Sequence, residues 1–99
     1  MTQEGGSGAD ERLLRRHRLR IRTVAVTFEA ALASAAHSFL GAIEEREELV
    51  DRWRSWSLDQ LAAYRSDLDA LRGERPDLAD AVAELLAELE RTEQRVRGA

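Results

Sequence analysis

The sequence has no cysteine, no lysine and a single proline, Pro76. Without cysteine there is no disulfide frame, no thiolate metal site and no cysteine nucleophile. Every one of the fifteen basic residues is arginine. With the abundance of Ala, Asp and Glu, this usage points to a high-GC bacterial genome. Aromatic residues make up 5% of the chain, and β-branched residues are few. One proline and so little strand-forming material argue for an all-helical chain. The N-terminus lacks an ordered n-region, h-region and cleavage site, so a cytoplasmic protein is expected. Ninety-nine residues make one small domain that is marginal alone, and oligomerisation is a common remedy.

What the chain does contain is organised around Thr23–Ile43, in which only Glu29 and His37 are ionisable. The stretch has the length of a membrane span. Its apolarity comes mostly from alanine, however, and a carboxylate near mid-membrane costs about 2.5–3.5 kcal/mol. A helix buried on most of its circumference fits better. Charge is segregated around it. Residues 1–11 hold three acids, residues 12–22 hold six arginines and no acid, and the remainder holds sixteen acids against nine arginines. A short basic patch thus sits on an acidic body, for a net charge of −4.

Met1 to Ala9 contains GGSG and nothing to anchor it, so residues 1–9 are expected to be a disordered tail ahead of one helical-bundle domain over 10–99. Asp10 is a plausible N-cap. Leu14, Ile21, Phe28, Ala35, Ala42, Leu49 and Trp56 recur every seven residues, with Arg18, Ala25, Leu32, Phe39, Arg46 and Trp53 four residues after each. This 4-3 stripe predicts one long helix over about 10–55, with Gly41 the one place where it could bend or break; a break there would let the N-terminal half fold back and cover itself in a four-helix monomer. Ser57 followed by Gln60 has capping-box spacing and predicts a second helix over about 58–72, stopped by Gly73. Pro76 opens a third over about 76–97, carrying Leu78, Val82, Leu85, Leu89, Thr92 and Val96.

The lengths leave something uncovered. At 1.5 Å per residue, the second helix reaches back only to about Gly41. The apolar half of the long helix, Ile21 to Leu40, then lacks an intramolecular cover. The simplest cover is a second copy, giving a bundle completed as a homodimer. The expected interface comprises Ile21, Ala25, Phe28, Leu32, Ala35 and Phe39, with Glu29 and His37 able to pair across an antiparallel seam.

No catalytic constellation, cofactor motif or metal-ligand spacing emerges. His17 and His37 are twenty residues apart, and His37 has no helical co-ligand at i±4. The arginines Arg12, Arg15, Arg16, Arg18, Arg20 and Arg22 splay around a helix and make an electrostatic footprint for phosphates, whether of nucleic acid or of an anionic lipid surface, or pairs for a partner's carboxylates such as Glu44, Glu45, Glu47 and Glu48. No helix-turn-helix, zinc-ligand or stacking-platform pattern accompanies them. Trp53 and Trp56 suit either core packing at the turn into the second helix or an exposed anchor for a partner. The tract Ala36-His37-Ser38-Phe39-Leu40-Gly41 resembles the phosphorylated helix of histidine phosphotransfer domains, where a His follows Ala and a Lys-Gly pair lies three and four residues on. Gly41 matches, but Leu40 stands where that family has lysine. The resemblance implies a phosphocarrier acting through His37, without the cation that steadies the phosphoryl group. The residues themselves favour a non-enzymatic assembly or adaptor module that associates with itself or a larger protein, with a nucleic-acid-associated protein as the alternative.

Overall fold

The computed structural model describes residues 2–37 and 43–99. They form three helices, α1 (Thr2–Ala36), α2 (Ile43–Glu74) and α3 (Ala79–Gly98), with a 3-10 turn at Pro76–Leu78. No strand occurs among the described residues. No helix among them is long and apolar enough to cross a membrane.

The expected single helix over 10–55 is two helices. α1 ends at Ala36, and the His37 N–H donates to the Ala33 carbonyl at 3.1 Å. α2 starts at Ile43, with Glu44 and Glu45 in its first turn, where carboxylates favour the positive end of the helix dipole. Gly41, the expected bend, lies outside the described residues, as do Phe39, Leu40 and Ala42. A seven-residue stripe does not distinguish a straight helix from a hairpin, because folding back sets its two halves face to face. The hairpin also removes the expected uncovered surface. Ile21, Val24, Phe28 and Ala35 are buried within the chain itself, so this part of the expected dimer seam is the core of one molecule.

The chain runs up, down and up. Arg75 on Asp10 and Arg20 on Asp67 make α2 antiparallel to α1. Arg22 on Glu88 and Arg95 on Glu29 advance in step, so α3 runs parallel to α1. One core joins them: Ile21, Val24 and Phe28 from α1, Leu61 and Leu68 from α2, and Val82, Leu85, Leu89 and Val96 from α3. The α3 positions follow the 4-3 spacing read from the sequence, and Thr92 is buried among them.

No helix starts at Ser57. α2 runs through it, and Ser57 is fully buried with no hydrogen-bond partner for its hydroxyl among the described residues. Serine with glutamine three residues on marks a start only where the chain enters from a non-helical turn. Nothing between Trp53 and Leu58 forces such a turn. Ser57 instead shares a face with half-buried Val50 and buried Leu61 and Leu68. That face is one residue out of step with the Leu49–Trp56 series, and the shift turns both of those residues toward solvent.

The stop of α2 also lies later than expected. Gly73 stays helical, and no described glycine takes a positive φ. Pro76 ends the helix instead. It drives the preceding residue out of the α region, and Arg75 accordingly has φ −127° and ψ 76°. At the other end, α1 is helical from Thr2, over the Gly-rich stretch expected to be a tail. Asp10 is therefore interior to the helix and not its N-cap. Its carboxylate accepts two bonds from the Arg75 guanidinium, at 3.2 and 3.0 Å. Arg75 also donates to Asp77, and this bond holds the Asp77 carboxyl below its usual range. The acid that would have started a helix instead ties α1 to the α2–α3 turn.

Candidate functional site

Three features survive folding as candidates. The first is the face shared by α1 and α2. Thr23–Ala36 is apolar or uncharged almost all round, with Glu29 its one charged residue. A helix in a three-helix bundle buries only one stripe. The outward positions Thr23, Val26, Ala30, Ala33 and Ser34 are therefore left as an uncharged strip, with Leu19 one turn before Thr23. Val26 is 65% exposed and Leu19 62%. Across the groove from them stand Leu49 and Trp56, 38% and 39% exposed. Thr27, Ala30, Ala31, Ser34, Leu49 and Trp53 line its floor and walls, and Arg52 and Trp56 extend it along α2. Trp53 is half-buried against the core, and Trp56 stacks edge-on to it, with ring centroids 5.5 Å apart at 79°. The pair does not pack a helical elbow, since α2 is continuous there.

Sequence reasoning assigned the apolar residues of Ile21–Leu40 to the interface and missed this second strip. The signal was present. Leu19 and Val26 are large, apolar and out of phase with the Ile21–Phe28 stripe. Of the expected interface residues, Ile21, Phe28 and Ala35 are buried, Ala25 and Leu32 are half-buried, and Glu29 and His37 are exposed. Glu29 is taken by Arg95 at 3.2 Å within the same chain, so it is not left for His37. His37 itself sits in the turn after α1, and the rest of its Ser38–Gly41 tract lies outside the described residues.

The second feature is the arginine cluster, which the structure divides. Arg18 and Arg22 both reach Glu88, at 3.5 and 3.0 Å, and Arg20 reaches Asp67 at 3.6 Å while lying over the Tyr64 ring. Three arginines thus pair across helices with carboxylates of their own chain other than the expected Glu44–Glu48 group. Arg12, Arg15 and Arg16 are exposed and make no ion pair among the described residues. They continue the outward strip of α1 toward its N-terminus. At the opposite end of the bundle lie Glu44, Glu45, Glu47 and Glu48, likewise exposed and unpaired among the described residues, with Glu47 turned to the cleft beside Leu32 and Ala99.

The third feature is His17, half-buried beneath the cluster with its Nδ1 enclosed and without a hydrogen-bond partner among the described residues. Burial first, then the charges of Arg20 and Arg16, push its pKa down, and Asp67 opposes them. The folded chain therefore disfavours the imidazolium, and the unfolded chain takes up the proton first. Stability is full above the ordinary histidine pKa of about 6.5 and falls as the pH drops below it. The melting temperature is expected to fall more for wild type than for His17→Gln between pH 7 and 5.5. An equal fall in both would contradict this assignment.

Elsewhere, the Arg46 Nε is buried without a partner among the described residues. The Arg54 guanidinium ties α2 to the end of α3 through the Val96 and Ala99 carbonyls. Among the described residues no group of three or more His, Asp or Glu side chains is placed to hold a metal ion. Comparison with known proteins finds no matching family model, no matching curated protein and no matching solved structure.

Proposed function

We propose that this chain is a non-enzymatic helical assembly module whose α1–α2 face binds protein. One observation carries the reading. After all three helices have closed the core, Val26, Leu49 and Trp56 still stand exposed around one groove whose lining, Arg52 apart, is uncharged. Scattered apolar residues on a surface are ordinary, whereas a contiguous patch framed by charge marks a place where another molecule sits. Tryptophan is the residue type that most often anchors such contacts, and small residues beside it let a partner helix approach closely. Val26→Arg and Trp56→Arg are expected to abolish retention of a bound protein while leaving the helical content and melting temperature of the chain intact. Gln94→Arg, an exposed change on α3, should leave retention unchanged. Equal retention by all four proteins would exclude the groove as the binding face.

A second reading has its own observation, the exposed and unpaired Arg12, Arg15 and Arg16. Three such cations on one helical segment attract phosphates and would give salt-dependent binding to DNA or RNA without sequence preference.

A further inference from the structure

The same face is complementary to itself, and we infer that its occupant is a second copy of this chain, packed antiparallel about a two-fold axis at Val26–Thr27. The inference rests on the docking role proposed for the groove and adds what fills it and in which register.

Three features of the face point to a copy. The first is shape. A two-fold axis between Val26 and Thr27 pairs each outward residue of α1 with the one whose number complements it. Leu19 then lies over Ser34 and Ala33 of the partner subunit, Thr23 lies over Ala30 of the partner subunit, and the Val26 side chains meet at the axis. On the α1 strip the largest exposed side chain, Leu19, thus faces the small Ala33 and Ser34 of the partner subunit, which permits close approach of the two helices. A face lacking this order of large and small residues would pack less well against itself.

The second is charge. Arg16 shares the groove edge of α1 with Thr23 and Thr27, at i+7 and i+11, and lies about 16 Å from the axis at 1.5 Å per residue. Glu45 lies one turn before Leu49 on the groove edge of α2. It is eight residues before Trp53, which borders the groove beside Thr27, and so lies about 12 Å from the axis in the opposite direction. The two-fold operation brings Arg16 of one copy to the level of Glu45 of the partner subunit, and does so twice. Both groups are exposed and unpaired among the described residues. A parallel arrangement would set the arginine ends together and the glutamate ends together.

The third is extent. From Arg16 to Ala36 the face is about 30 Å long, and two helices make it about 20 Å wide. Two such faces bury on the order of 1,200 Å², the lower end for a specific interface, so a micromolar dimer is expected.

The test is solution mass by light scattering across a concentration series, for wild type, Val26→Arg, Arg16→Glu, Glu45→Arg and the double reversal Arg16→Glu/Glu45→Arg. Wild type should reach twice the 11.1 kDa of one chain. Val26→Arg should remain a monomer. Each single reversal should raise the dissociation constant at least about tenfold, and the double reversal should return it to within about threefold of wild type. All four variants carry surface changes, and melting curves matching wild type would show that each is folded. A wild-type dimer indifferent to the charge reversals would overturn the proposed register. A wild-type monomer would overturn the second copy as occupant. In that case retention of a different protein by wild type and not by Val26→Arg would leave the docking role standing, and no retention would end that role too. If nucleic acid alone were retained, and lost on Arg16→Glu, the second reading would replace both.

Discussion

Phe28→Ala is expected to cost about 3–5 kcal/mol of unfolding free energy, most or all of what a domain of this size has. Phe28 is the largest fully buried side chain among the described residues. It lies in the core cluster with Leu61 from α2 and Leu85 from α3. Truncation removes the transfer term and leaves a cavity that three crossing helices cannot collapse without losing contacts elsewhere. Chemical denaturation followed by circular dichroism would measure the loss. The same experiment distinguishes two structures. If Phe28 lay on a seam between copies, its truncation would show chiefly as dissociation, and the loss would shrink with rising protein concentration. A core residue gives a loss independent of concentration under conditions where the chain is monomeric.

The second large effect is expected at Arg65. Its guanidinium holds the Glu93 carboxylate, whose side chain is only 9% exposed, and Arg97 lies at 3.9 Å from the other carboxylate oxygen. Arg65→Ala strands a nearly buried anion with a distant cation. Because Arg65 is itself partly in solvent, the loss is set at about 1–3 kcal/mol, below that for a fully buried pair. Most of the loss is a penalty on Glu93, so Arg65→Ala/Glu93→Gln should recover more than half of it. A double variant as unstable as the single would mean that Arg65 acts through packing of its aliphatic stem.

How much of this was legible in the sequence differs from helix to helix. α3 was read nearly residue for residue, because Leu78, Val82, Leu85, Leu89, Thr92 and Val96 form an uninterrupted 4-3 series behind a proline. The class, all helical with three helices, followed from the same periodicity. The break between α1 and α2 is not decided by the sequence, which marks Gly41 as a place for a break without showing whether one occurs. Periodicity records which residues share a face, and a hairpin preserves that record while reversing the chain. The error then propagated. With one helix assumed over about 10–55, half its apolar face had to be uncovered, and Ile21, Phe28 and Ala35 were assigned to an interface when they are core. Ser57 misled for a related reason, since capping chemistry depends on backbone direction and the side chain reads the same in either setting. The exposed apolar strip was present in Leu19 and Val26, which are out of phase with the Ile21–Phe28 stripe, while Leu49 and Trp56 fell on the predicted stripe and are exposed in the fold. Only the packed helices separate the apolar residues the fold uses from those it leaves outside.

The most direct test places a photoreactive amino acid at Val26 in the full chain, in the cells that make it, with Gln94 as the control position. If the α1–α2 face is occupied, Val26 gives a discrete crosslinked protein and Gln94 does not, and a product of twice 11.1 kDa identifies the occupant as a second copy. No product from Val26, or the same products from both positions, would contradict a docking role for this face.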